Sequence, residues 1–480
     1  MEFFLPMNSR AKKILLLALA AVLLAGNGLL LPVLNRQRSE LGITRIEPLK
    51  NAPPVLALTT QVLGGFRGLI ANALWIRSSQ MQEDGKYFEM VQLADWITKL
   101  EPHIVAVWQV QSWNMAFNIS VKFPDHEDRW RWVQRGIELL RDDAIRYNPD
   151  QPALYADLAW LFRFKMGQNM DDAHFYYKGM WINEMRLLFG AHKPDFERLI
   201  NPVTPDERAR SELMRTKYKM DPALMRAVDQ RHGPLDWRLP EAHAIYWASA
   251  GLEKTHKEED VRQLRSAIYQ SMNLSFQRGR LVLSSNLPPR LLPNLEIAPK
   301  VDAAFREQLA NSPPHLTNGL ANAYRNFLKD VPYQMFIVNR VREGEQWLAR
   351  LRQQFPGAVE ADLTLAEYAV ARANVQTADQ RQAYVAGLLR AFVVQAFFAA
   401  IEDKADDFNE YLGRAEELHA AYMKRTGGKE RLAVPTVAEL KVEARDQMLA
   451  PDGGLSPEQR ARLRTLLGMP AETAPPKKQP

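Results

Sequence analysis

Met170-Asp171-Asp172-Ala173-His174 places two carboxylates beside an imidazole, residue types that exchange protons or hold a divalent metal. Asp172 and His174 are the pair such chemistry would use, with Glu241 and His243 as more distant partners. No HExxH or comparable ligand spacing accompanies them. The residues alone therefore favour a structural reading, with Asp171 capping a helix and His174 satisfied inside it. Arg129-Trp130-Arg131-Trp132-Val133-Gln134-Arg135 interleaves guanidiniums with indoles, a combination that can meet phosphates or anionic headgroups. At helical spacing it resolves into a Trp132/Gly136 face expected to pack and an Arg131/Arg135 face expected to be solvated. Leu63-Gly64-Gly65-Phe66-Arg67-Gly68 lacks both the spacing and the downstream lysine of a phosphate loop. The chain has no cysteine, which removes disulfides, thiolate metal sites, iron–sulfur clusters and cysteine nucleophiles. Neither a GxSxG elbow nor a kinase motif set occurs. These residues point away from an enzyme, and no metal or cofactor is expected.

The elements that must carry these residues belong to a 480-residue chain, 46% hydrophobic and 25% charged, which is a globular composition. The net charge is +6, and residues 1–45 alone carry +4. The near-neutral remainder argues against a nucleic-acid partner. Residues 14–34, ILLLALAAVLLAGNGLLLPVL, are uncharged. As a helix they span roughly 30 Å, the thickness of the bilayer core. We expect an uncleaved, single-pass signal-anchor at 14–34 behind a short segment 1–13. A cleaved signal peptide is the rival, disfavoured by the length of the run and by the lack of a small-x-small site at its end. The short basic side would stay cytoplasmic, putting the body outside the inner membrane, periplasmic or extracytoplasmic. Residues 385–401 are also apolar but are shorter and hold Arg390 and Gln395, so a buried helix of the body is expected there.

Beyond a juxtamembrane linker at 35–57, helical periodicity dominates and strand alternation is scarce, so the fold class is all-α. The best strand candidate, Arg280–Leu283, lies in a Pro-rich stretch at 280–299. That stretch reads as the connection between helical domains at 58–279 and 300–467, and 468–480 reads as a disordered tail. One arrangement recurs three times: Pro102, Trp108 and Ser112; Pro149, Tyr155 and Ala159; Pro240, Tyr246 and Ala250. In each, an aromatic follows the proline and a small residue comes one helical turn later, where a neighbouring helix can approach closely.

Tyr155-x-x-Leu158-Ala159-x-x-Phe162 resembles the first helix of a tetratricopeptide repeat. YFEMVQLADWITKLEP resembles the second, with Met90, Ala94 and Ile97 facing inward and Pro102 closing the unit. Before Pro149 the pattern departs, because Arg141 stands where a small residue belongs. Pro102 and Pro149 are 47 residues apart, against a family period of about 34. The excess fits an insertion at 121–128 between the paired helices, and the segment 188–236 interrupts the array again.

The resemblance implies an α-solenoid of stacked hairpins, since one hairpin cannot bury its own apolar stripe. It also implies that the first helix of each unit lines a concave groove. The candidate ligand-binding residues on that face are Trp75, Ser79, Gln109, Trp113, Trp160, Arg163 and Trp247. Indoles beside hydroxyl, amide and guanidinium groups suit extended peptides or sugar rings, although the same indoles can simply pack inside. The expected function is a membrane-anchored scaffold for protein–protein interaction in the bacterial cell envelope. The alternative is an envelope helical protein that acts on or binds a glycan.

Overall fold

The computed structural model describes residues 9–40, 67–168, 170–190, 194–283, 290–372, 378–450, 453 and 455–470. The linker from 41, the glycines at 64 and 65 and the tail beyond 470 lie outside those residues. The fold is all-α: among the described residues the only sheet is one two-stranded hairpin. Contacts divide the chain into two compact units, Met1–Pro149 and Asp150–Pro480. The division falls at the Pro149 repeat boundary rather than in the Pro-rich stretch at 280–299.

In the first unit, α1 (Ser9–Glu40) contains Lys13–Leu34, a stretch long and apolar enough to cross a membrane. Helices α2 (Arg67–Glu83) and α3 (Tyr87–Leu100) form a hairpin. Its core is Ala71, Ile97, Leu100 and Val107, with Ile70, Leu74 and Trp75 packed against it. Met90, Ala94 and Ile97 share one face of α3 and are all buried. After α3 the carbonyl of Pro102 accepts from Trp108 Nε1 and from Asn148 Nδ2, both at 2.8 Å. One carbonyl thus fastens the aromatic six residues on and the end of the next hairpin.

That next hairpin has unusually wide turns. Helix α4 (Val105–Trp113) runs into a π-helical segment, Asn114–Ile119, and a closing turn, Ser120–Lys122. Helix α5 (His126–Glu138) runs into a second π segment, Leu139–Ala144, and a last α turn, Ile145–Tyr147. Only Phe123, Pro124 and Asp125 separate the two. Asp125 caps α5 by accepting from Glu127 N at 2.7 Å. Of the insertion expected at 121–128, residues 121–122 and 126–128 are helical and three residues are left between the helices.

In the second unit, α6 (Pro152–Trp160) continues into a third π segment, Leu161–Gly167. There follow α7 (His174–Phe189), α8 (Phe196–Ile200), α9 (Pro205–Thr216) and α10 (Pro222–His232). Helix α11 (Pro240–Leu252) then packs directly on α6. Gly251 permits this approach, since a Cβ there would lie 2.8 Å from Tyr155 Cβ. Helix α12 (Glu258–Arg278) leads to β1 (Arg280–Val282), antiparallel to β2 (Arg290–Leu292) with Leu281 opposite Leu291. Asp236 accepts from Leu281 N at 2.9 Å and holds the hairpin against the turn before α11.

Helices α13 (Ala298–Ala310), α14 (Pro314–Ile337), α15 (Val341–Gln354) and α16 (Leu365–Arg372) follow. The core runs across the Pro-rich stretch instead of stopping there. Phe276 of α12 meets Phe327 of α14 edge-on at 5.1 Å, and Phe305 of α13 stacks on Tyr324 at 5.4 Å. Helices α17 (Ala378–Ile401), α18 (Ala405–Thr426), α19 (Val437–Leu449) and α20 (Pro457–Leu466) complete the unit. The apolar run at 385–401 lies on α17, where Val385, Leu389, Phe392, Val393, Ala396 and Phe397 are buried and Arg390 pairs with Glu443.

Candidate functional site

Trp113 and Trp160 occupy the same place on two helices. Each is the last residue before a π segment, and each meets a phenylalanine one turn later, Trp113 stacked on Phe117 and Trp160 tilted against Phe164. The ring centroids are 4.5 Å apart for Trp113–Phe117 and 4.8 Å for Trp160–Phe164. A π segment moves the hydrogen bond from the fourth to the fifth residue back and so widens the turn that carries the pair. Trp113 is 47% exposed, and Val110 and Val121 on the same helical run are exposed with it. Trp160 is half-buried.

The other five groove candidates are placed differently. Gln109 is half-buried one turn before Trp113. Trp75 packs on the α2–α3 core, and its carbonyl accepts from Ser79 Oγ at 3.1 Å, so that exposed hydroxyl serves its own helix. Arg163 is buried, with its guanidinium 4.1 Å above the Phe164 ring. Burial pulls its pKa down to about 10, and it stays a cation at neutral pH. Trp247 is 4% exposed and packed against Tyr155 and Tyr246. It offers no open face to a ligand, because α11 is enclosed on nearly every side.

The acid–imidazole motif resolves into a buried charge cluster. Asp171, not Asp172, enters it: one carboxylate oxygen pairs with Lys165 Nζ at 2.5 Å and accepts from the Tyr177 hydroxyl at 3.3 Å, and the other accepts from Ala173 N. Asp172 is exposed. His174 is buried, with Nδ1 2.6 Å from the Asp171 carbonyl oxygen. Beside this group, Glu241 lies 3.4 Å from Lys178 and 3.9 Å from Arg278. Lys178 and Arg278 both donate to the carbonyl of Gly167, the final residue of the third π segment. A helix end leaves carbonyls without partners and carries partial negative charge, so two cations complete it. Burial lowers the Lys178 pKa, and the Glu241 carboxylate opposes that shift. The side chains of Lys165, Asp171, Lys178 and Glu241 are all 5% exposed or less, so the cluster is a structural core of charge. His243 stands apart among aromatic rings, stacked on Phe162 and edge-on to Trp181.

Sequence reasoning missed Lys165, Lys178 and Arg278. For the two lysines a signal was present: FRFKMG and YYKGMW each put a lysine among aromatics. In the Arg/Trp run, Trp130 rather than Trp132 is the packed indole, together with Val133, Gly136 and Ile137. Trp132 is half-buried and meets Phe88 at 5.7 Å and Phe123 at 6.3 Å. Arg131 pairs with Glu127 and Asp128 of its own helix, which cancels much of the positive charge an anionic surface would need. A shallow concavity of about 390 Å³ runs along this helix between Asp128 and Glu138. Among the described residues no group of three or more His, Asp or Glu side chains is placed to hold a metal ion. No protein-family model and no curated protein sequence matches this chain.

Proposed function

We propose that the protein is a membrane-tethered, tetratricopeptide-like scaffold whose helical body binds a protein partner in the extracytoplasmic part of the bacterial envelope. The anchor is the apolar stretch Lys13–Leu34, none of which is buried by the rest of the chain. The observation that carries the binding role is the exposed Trp113, stacked on a half-buried Phe117, with Val110 and Val121 exposed on the same helical run. Large exposed apolar side chains on one helical run are costly in water unless something covers them. The Trp160–Phe164 step supports the same reading in the second unit.

The absence of cysteine makes the test direct, because any introduced thiol is unique. Single cysteines at 106 and 122, exposed positions on the helical run of Trp113, carry a photocrosslinker in native membranes. The proposal expects one protein adduct from these positions, lost on Trp113→Ala, and none from a control cysteine at 131. Equal labelling at all three, or adducts indifferent to Trp113→Ala, sinks the groove. Protease access to the C-terminus in spheroplasts but not in intact cells tests the orientation. Retention of the protein on envelope glycan with no protein adduct would move the assignment to the glycan reading.

A further inference from the structure

A small cavity of about 30 Å³ opens in the second unit where α10, α12 and α13 meet. That volume is room for one or two waters. Its walls include Arg231 and His232 from α10, Arg265 and Tyr269 from α12, and Glu307 from α13. Two guanidiniums lean on one carboxylate oxygen: Arg265 is 3.3 Å and Arg231 3.8 Å from Glu307 Oε1. Lys300 adds a third cation nearby and donates to the carbonyls of Gln230, at 2.7 Å, and Asp229 at the end of α10. His232 is buried beside them. Burial first, then the charges of Arg231 and Lys300, hold its imidazole down to about 4. At neutral pH it is therefore an uncharged hydrogen-bonding group in a wall whose ionised groups are two guanidiniums and the one carboxylate they share, a net positive charge of one.

Surplus cationic charge at a concave mouth, backed by a buried neutral imidazole, favours an anion. We infer that this cavity is a carboxylate-binding site, which seats one carboxylate of a small acid or acidic peptide against Arg231, Arg265 and His232. The size favours a planar three-atom group over a tetrahedral phosphate. The remainder of the ligand leaves past Arg231, whose side chain is 64% exposed.

His232 is the reporter. The full-length protein is purified in detergent micelles with ¹³C-labelled histidine rings, and His232→Gln assigns the signal. Formate is the probe near neutral pH, sodium chloride at equal ionic strength is the control, and inorganic phosphate is a second arm. Formate should move the His232 signal saturably, and chloride should not. Arg231→Gln, at a largely exposed position that spares folding, should raise the half-saturating formate concentration at least about threefold. A matching response to chloride, or an unchanged formate response in both Arg231→Gln and Arg265→Gln, overturns the site. Tighter saturable binding of phosphate than of formate overturns the carboxylate assignment.

Discussion

The hydroxyl of Ser112 on α4 donates to the carbonyl of Gly136 on α5 across 2.9 Å. A Cβ at Gly136 would lie 3.0 Å from the Ser112 carbonyl oxygen and 3.3 Å from Ala116 Cβ. The two helices cross at contact distance because neither position carries a larger side chain. Gly136→Ala gains about 1 kcal/mol of helix propensity but overpacks the crossing by roughly 1–3 kcal/mol. A net loss is expected, seen as a lower urea midpoint with an unchanged slope. A higher midpoint would mean that the crossing yields without cost.

Trp113 and Trp247 should separate binding from stability. Trp247→Ala empties a buried site and should cost about 3–5 kcal/mol. Trp113→Ala removes an indole that is already 47% exposed and should cost under about 1 kcal/mol, while the crosslinked adduct disappears. Denaturant unfolding and crosslink yield, measured on the same two variants, should move in opposite order.

The charge cluster at the end of the third π segment should behave as a coupled unit. Lys178→Met leaves Glu241, whose side chain is 1% exposed, with Arg278 as its remaining cation at 3.9 Å. Losing one partner of a buried pair costs about 3–5 kcal/mol. Lys178→Met with Glu241→Leu should recover a large share of that loss, because no buried carboxylate is then stranded. Additive losses in the double variant would show that the two residues act independently.

Stability should fall in mild acid through His232. Its folded pKa, about 4, lies below the 6.5 of a free imidazole, so the unfolded chain takes up the proton first. The folded state therefore loses ground as pH falls from 6.5 toward 4, by roughly 3 kcal/mol over the whole window. His232→Gln should flatten that part of the profile, read as the urea midpoint at successive pH values. A parallel profile in the variant would place the acid sensitivity elsewhere.

The helical class and the inward face Met90, Ala94 and Ile97 were legible because they rest on periodicity. The anchor candidate was legible for the same kind of reason, an uncharged run of spanning length. The π segments were not, because a wide turn leaves no residue signature and shows itself only in which carbonyl each N–H reaches. Trp132 and Trp130 were exchanged because the packed face of α5 is set by where Gly136 meets Ser112, a contact between helices. The partners Lys165, Lys178, Glu241 and Arg278 come from four helical segments, and only the fold brings their charges together.

A wide turn stores an extra residue as girth instead of rotation. In an α-helix each residue turns the chain by about 100°. Deleting one residue within 114–119 or 161–167 would let that stretch close as ordinary helix. The faces on either side would keep their phase, and only the widened turn that carries the Trp–Phe step would be lost. The segments in α4, α5 and α6 are thus places where the chain holds an added residue while the faces on either side stay in gear. A one-residue deletion there should disturb the packing of the next helix less than a one-residue deletion in an ordinary helical stretch, which rotates everything after it by about 100°.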